Sequence, residues 1–326
     1  MGKQRVTLDT LTSRRVAPWG LATGSIAGLI AAVMRLPGRR VQFVVEGFEW
    51  LPSGPVLFAT NHTHRHDWVA MRWVCYRRGR SLVNWVKPRS YDVQWRATFL
   101  DVTGNIPLAS RGWILSADFD EVHERPPSEE EYRTLRSHLD HGLPLPDEAV
   151  YAALQERRRD LLGRPFDPAR ETWREAVEAL FAAMMEATLA RTRVLLSAGH
   201  DLNVFPQGVF STRLTPGRPG TVQAALALGL PIVPVGISGV PQTFEPDRPM
   251  GRPGGGTITV RFGAPYQVPA IEGHQPFVPS SERQHVEGLQ DRTAVLMDRI
   301  AELVEPEHGW AKDDHDDGIT GVARFL

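Results

Sequence analysis

Short apolar runs that each lead into a turn and then a helical pattern constrain this chain more than any other feature. Pro55–Thr60 (PVLFAT) runs into Asn61 and His62, and Arg65–Tyr76 then sets Trp68, Arg72, Trp73 and Tyr76 at helical spacing. Ser81–Lys87 (SLVNWVK) reads as the next strand, Trp95–Asp101 as a short helix and Gly104–Leu108 as a short extended piece. Further along, Asp201–Phe205 enters the turn Pro206-Gln207-Gly208, followed by a helix over Val222–Gly229 and a strand over Pro231–Ile237. Val41–Phe48 is strand-like, Thr257–Phe262 is expected at an edge of the sheet, and Glu282–Val304 closes the chain as a helix. Short apolar strands alternating with helices predict an α/β fold, with a mostly parallel central sheet flanked by helices.

Trp113–His200 breaks that alternation and reads as a helical insert, at about 113–200. Ser128 ahead of Glu131 forms a capping-box pattern. Asp147–Leu162 reads as a charged helix, and Asp167-Pro168 as the cap and first-turn proline of a long one. On that long helix Trp173, Val177, Leu180, Phe181 and Met184 make one apolar stripe, and Gly199 is a natural stop. With 326 residues, 42% of them hydrophobic, the chain can bury a sizeable core, and its lone Cys75 excludes a disulfide scaffold. A mean hydropathy of −0.26 excludes a multi-span membrane protein. No glycine-rich phosphate loop is present, and the acidic run Asp313–Asp317 fails as a calcium loop because Arg324 stands where a bidentate glutamate is required.

The net charge of −1 hides a split. Residues 1–115 carry 16 Lys/Arg against 6 Asp/Glu, the remainder 21 against 32, and the basic part holds seven of the nine tryptophans. Cations interleaved with indoles suit an anionic lipid surface, although a Trp-rich core beneath solvated arginines gives the same pattern. Nucleic acid would exploit the same charge but is not the partner expected here. Near the N-terminus, Trp19–Leu36 is apolar, with an uncharged stretch of 18 residues from Ala17 to Met34 between Arg14/Arg15 and Arg35/Arg39/Arg40. That is the lower limit for crossing a bilayer. It is read as an apolar helix in or on the cytoplasmic leaflet, or packed in the protein's own core.

The densest chemistry is Asn61-His62-Thr63-His64-Arg65-His66-Asp67-Trp68. In an extended segment His62, His64 and His66 would share one side and could chelate a metal, but the helical pattern from Arg65 breaks that alternation. The histidines could instead cap the helix. In a third reading, His62 on the loop after a strand folds back onto Asp67 in the first turn of a helix. The carboxylate then fixes the imidazole while the other ring nitrogen takes a proton from a hydroxyl. Within one continuous helix the two residues would lie ~140° apart, so His62 must stand outside it.

Four blocks carry a family resemblance. Asn61-His62…Asp67, Gly104–Gly112 (GNIPLASRG), Phe205-Pro206-Gln207-Gly208 and Pro231–Ile237 (PIVPVGI) resemble, in order, the blocks of the glycerolipid acyltransferase superfamily, with Arg218-Pro219-Gly220 where that family often has Lys-Pro-Gly. This superfamily includes glycerol-3-phosphate and 1-acylglycerol-3-phosphate acyltransferases, and the likeness spans about Val41 to Pro265 without the insert. It implies His62 as general base and Asp67 as its partner. Arg111 would grip an acceptor phosphate, Gln207, Gly208 and Arg213 would shape the acceptor site, and Lys87 would add positive potential. The donor would be acyl-CoA or acyl carrier protein, the acceptor a membrane lipid such as a lysophospholipid or a glycerol-phosphate-like alcohol, and no metal or organic cofactor would be needed. Residues 1–40 would be a membrane-associating segment and 41–326 the catalytic domain, on the cytoplasmic face of the cell membrane. Three departures stand out: Gln207 replaces the usual acid, Val209-Phe210 displaces Arg213, and one extra residue precedes Arg111. They point to an unusual acceptor, such as a glycolipid or other alcohol, or to a silent lipid-binding protein of the same fold.

Overall fold

The structure, a computed structural model, describes residues 5–13, 32, 35–247, 251–278 and 283–311. The elements in chain order are α1 (Leu8–Ser13), β1 (Val41–Glu46), β2 (Leu57–Thr60), α2 (Asp67–Tyr76), β3 (Ser81–Val86), α3 (Gln94–Val102), β4 (Asn105–Pro107) and α4 (Arg111–His123). They continue with α5 (Glu129–His141), α6 (Ala149–Gln155), β5 (Arg159–Leu161), β6 (Arg164–Phe166), α7 (Trp173–Ser197) and β7 (His200–Val204). The last are α8 (Gly220–Leu228), β8 (Ile232–Ser238), α9 (Val240–Thr243), β9 (Gly256–Phe262) and α10 (Arg283–Ala301).

Seven strands form one sheet in the order β1-β9-β8-β2-β7-β3-β4. Five of them run parallel, and β1 and β9 run together in the opposite direction, so β8–β9 is the one antiparallel junction. This is the α/β architecture expected, mostly parallel and flanked by helices. Both faces are covered, and alternation along β2 shows how. Leu57 and Ala59 enter a core shared with α4–α8 and α10, while Phe58 enters a second core with α2 and β9.

Under the carboxyl ends of the strands runs a buried ladder of polar side chains. The Thr60 hydroxyl donates to Asn203 Oδ1 (2.8 Å), Asn203 Nδ2 to Asn84 Oδ1 (3.0 Å), Asn84 Nδ2 to Asn105 Oδ1 (3.0 Å) and Asn105 Nδ2 to Thr103 Oγ1 (2.6 Å). Asn203 and Asn84 each receive from one strand and give to the next, and Asn105 passes the chain on to the turn before β4, which satisfies groups that would otherwise be costly to bury.

Several expectations are corrected. β9 is not an edge strand: it lies between β8 and β1, and β1 forms that edge. Asp147–Leu162 is not one helix: α6 stops at Gln155 and a two-stranded hairpin, β5–β6, follows. The long helix begins at Trp173, capped by Thr172 and Glu175 in a reciprocal capping box, rather than at Asp167-Pro168. Its apolar stripe is buried as expected, and Gly199 turns the chain at φ 86°. Trp85 and Trp113 lie in the core, while Trp50 and Trp95 are exposed.

The segment before the apolar run docks on the insert. Val6 and Leu11 are fully buried, Leu8 N–H donates to the Leu162 carbonyl (2.8 Å), the Arg191 guanidinium donates to the Leu11 carbonyl (2.9 Å), and Arg5 pairs with Asp120. Most of Trp19–Leu36 and the acidic run after Lys312 lie outside the described residues. Among those described, no helix is long and apolar enough to cross a membrane.

Candidate active site

His62 stands on the loop between β2 and α2, outside the helix, and Asp67 is the first residue of α2. His62 Nδ1 and Asp67 Oδ2 are 2.9 Å apart. The same carboxylate oxygen accepts the backbone N–H groups of Thr63 (2.7 Å) and His64 (2.8 Å), so the turn wraps around a fully buried Asp67. A carboxylate on Nδ1 requires the ring hydrogen there and leaves the lone pair on Nε2. No described residue hydrogen-bonds that Nε2, and the His62 side chain is 18% exposed.

The loop is held from three sides. Asn61 locks the end of β2 to β8, its Nδ2 donating to the Ile237 carbonyl (2.9 Å) and its Oδ1 accepting the Ile237 N–H (2.6 Å). Phe205, at the end of β7, stacks on the imidazole with centroids 4.0 Å apart and an interplanar angle of 19°. Exposed Phe210 approaches the ring edge-on at 6.0 Å. Ser211 N–H donates to the His62 carbonyl (2.7 Å). The site therefore sits at the carboxyl ends of β2, β7 and β8, where open α/β sheets bind ligands.

His64 and His66 do not join His62. Burial lowers both imidazoles, that of His66 to about 4, and His66 lies edge-on against Phe244. Among the described residues no group of three or more His, Cys, Asp or Glu side chains is placed to hold a metal.

The remaining candidates separate. Gln207 is buried with both ends of its amide taken: Oε1 accepts the His62 backbone N–H (3.1 Å), and Nε2 donates to the Arg213 carbonyl and the Thr215 hydroxyl (both 3.2 Å). It clips one loop to the other. Gly208 adopts φ 72° in that turn, and a Cβ there would lie 3.3 Å from the Arg218 side chain. The Arg213 guanidinium donates to the Trp310 carbonyl (3.4 Å). It joins a strap in which residues 308–311 hydrogen-bond to the backbone of Thr212 and Leu214.

Arg111 opens α4 beside the edge strand β4, three strands or about 14 Å across the sheet from β2. Its guanidinium is taken by Asp140 (3.0 Å) and Glu178, both from the insert. Burial raises the Glu178 carboxyl above its ordinary value despite Arg111. Lys87 is exposed at the end of β3, two strands from β2. The structure thus brings His62, Asp67, Gln207 and Gly208 together, sets Arg111 and Lys87 on other strands of the sheet, and engages the Arg213 guanidinium with the Trp310 carbonyl. Asn61 and Phe205 lie within the sequence motifs, but their positioning contacts are set by tertiary packing, and the strap over 308–311 has no sequence signal.

No protein-family model matches the chain, and no curated protein matches it. Among solved structures it is similar to the 1-acyl-sn-glycerophosphate (LPA) acyltransferase PlsC from Thermotoga maritima. The two share 13% identity over 86% of this chain and 80% of that one, with a TM-score of 0.39. The match is distant.

Proposed function

We propose that the chain is an O-acyltransferase in which His62, braced by Asp67, is the general base. The acceptor hydroxyl gives its proton to Nε2 as its oxygen attacks the carbonyl carbon of an acyl thioester. The tetrahedral adduct collapses with cleavage of the C–S bond, the thiolate takes the proton back from the imidazolium, and an ester and a free thiol leave. The donor is acyl-CoA or acyl carrier protein. The acceptor is a lysophospholipid or glycerol-phosphate-like alcohol, met at the cytoplasmic membrane surface with residues 1–40 as the associating segment.

The observation that carries this reading is the 2.9 Å contact of His62 Nδ1 with a buried carboxylate, together with an Nε2 that no described residue occupies. Incubating the full chain with labelled acyl-CoA and a lipid extract tests it. Label is expected in one lipid class with the wild type and in none with His62→Ala; equal labelling by the two rejects the mechanism. A second reading, an acceptor alcohol without phosphate, draws on Arg111 and Arg213: both guanidiniums already bond within the protein. Which lipid gains the label separates the two.

A further inference from the structure

Away from His62, a pocket of about 410 Å³ opens between the start of β1 and the end of α2, lined by Arg35, Arg40, Val41, Trp73 and Arg77. Trp73 and Arg77 are four residues apart and share a helix face, with the Arg77 guanidinium 5.6 Å from the indole centroid. Arg39, between two of the pocket arginines in sequence, is satisfied by Glu245 and the Gly251 carbonyl. Arg35, Arg40 and Arg77 are exposed and, among the described residues, have no carboxylate partner. Three exposed guanidiniums around one cavity gather positive charge at one place, and their paired N–H donors match phosphate oxygens.

We infer that this pocket holds the phosphate of an anionic membrane lipid. Two features select a lipid over a free phosphate. Arg35 directly follows the 18-residue uncharged run Ala17–Met34, so the chain passes from apolar to cationic at this point. The indole beside the arginines is the side chain that favours the level of lipid headgroups. The pocket would hold the protein on the surface where its substrate is dissolved, separately from the acyl-transfer site.

Co-sedimentation of the full chain with phosphatidylcholine vesicles, with and without phosphatidylglycerol, tests the assignment. Arg40→Gln/Arg77→Gln is expected to lose more than tenfold in partitioning onto the anionic vesicles, about fivefold per arginine, and to match the wild type on phosphatidylcholine alone. His62→Ala is expected to bind as the wild type does, so this result stands apart from any test of acyl transfer. Equal binding of the double variant and the wild type to anionic vesicles overturns the inference, as does an equal loss on both kinds of vesicle. So does a Tm increase with inorganic phosphate in the wild type alone, when vesicle binding is the same for both proteins. If the double variant does not fold, Arg35→Gln alone carries the test, with about a fivefold loss expected on anionic vesicles and none on neutral ones.

Discussion

The side-chain oxygen of Gln207 accepts the backbone N–H of His62 at 3.1 Å, while the other end of the same amide donates to the Arg213 carbonyl. A glutamate has the same shape but no donor. Gln207→Glu would set an oxygen against the Arg213 carbonyl in a buried position and leave that carbonyl unpaired. A loss of about 1–3 kcal/mol in unfolding free energy is expected by urea titration. A variant as stable as the wild type would show that the amide's donor end is dispensable.

The pairing of His62 with Asp67 makes a kinetic prediction. Asp67→Asn replaces a pure acceptor by a group that can donate to Nδ1, so the imidazole loses its imposed tautomer. Turnover is expected to fall by ~10³-fold or more, as when the orienting carboxylate of a catalytic triad is replaced. Single-turnover assays with labelled thioester measure this, and a loss under tenfold would remove Asp67 from the mechanism.

Arg111 offers a test between gripping substrate and holding the insert. With its guanidinium between Asp140 and Glu178, Arg111→Ala leaves two carboxylates facing each other across a half-buried gap. A lower Tm with KM for the acceptor unchanged is expected. A large rise in KM with an unchanged Tm would return this residue to phosphate recognition.

Arg72 lies in α2 at 5% exposure, and neither its Nε nor its Nη2 has an acceptor among the described residues. Burial pulls its guanidinium down to about 10. Methionine fills similar space without polar groups to desolvate, so Arg72→Met is expected to stabilise the chain by roughly 1–3 kcal/mol. A drop in the urea midpoint would mean that the guanidinium is satisfied in solution.

Acid should weaken the fold through His66. Its folded pKa, about 4, lies below the unfolded value of 6.5, so between these limits the unfolded chain binds the extra proton and stability rises with pH. The contribution is present in full above 6.5 and is lost as the pH falls through 4. Near pH 5 unfolding should take up close to one proton at this position. The urea midpoint is expected to drop between pH 7 and 4.5, and less so in His66→Gln. Equal slopes for the two proteins would assign the acid sensitivity to other groups.

The alternation of strands and helices was legible because strands buried on both faces read as unbroken apolar runs. The same rule hid β9. One face of this strand is only half covered, so its residues alternate as an edge strand's would, although it lies inside the sheet beside β1. The β5–β6 hairpin was legible only through Gly163: Leu162 and Gly163 both take positive φ in a two-residue turn. The charged residues around them matched a helix face as well. At the long helix the Thr172/Glu175 capping box, not the proline at 168, sets the start, because it satisfies two N-terminal backbone donors reciprocally. At the site, the spacing of His62 and Asp67 allowed the pair as one of three readings, and the likeness of the four sequence blocks singled it out. The occupation of Gln207, Arg111 and Arg213 could not be read, because each bonds to a group brought in by tertiary packing: the His62 N–H, the carboxylates of Asp140 and Glu178, and the Trp310 carbonyl.

The docking of residues 5–13 decides where this chain can be shortened. A fragment beginning at Val41 would discard the apolar run and, with it, the two side chains that plug the insert. The slots of Val6 and Leu11 would then stand open to water, and the Arg191 guanidinium would lose its carbonyl acceptor. Trimming to gain a better-behaved sample would therefore expose fresh apolar surface on the insert.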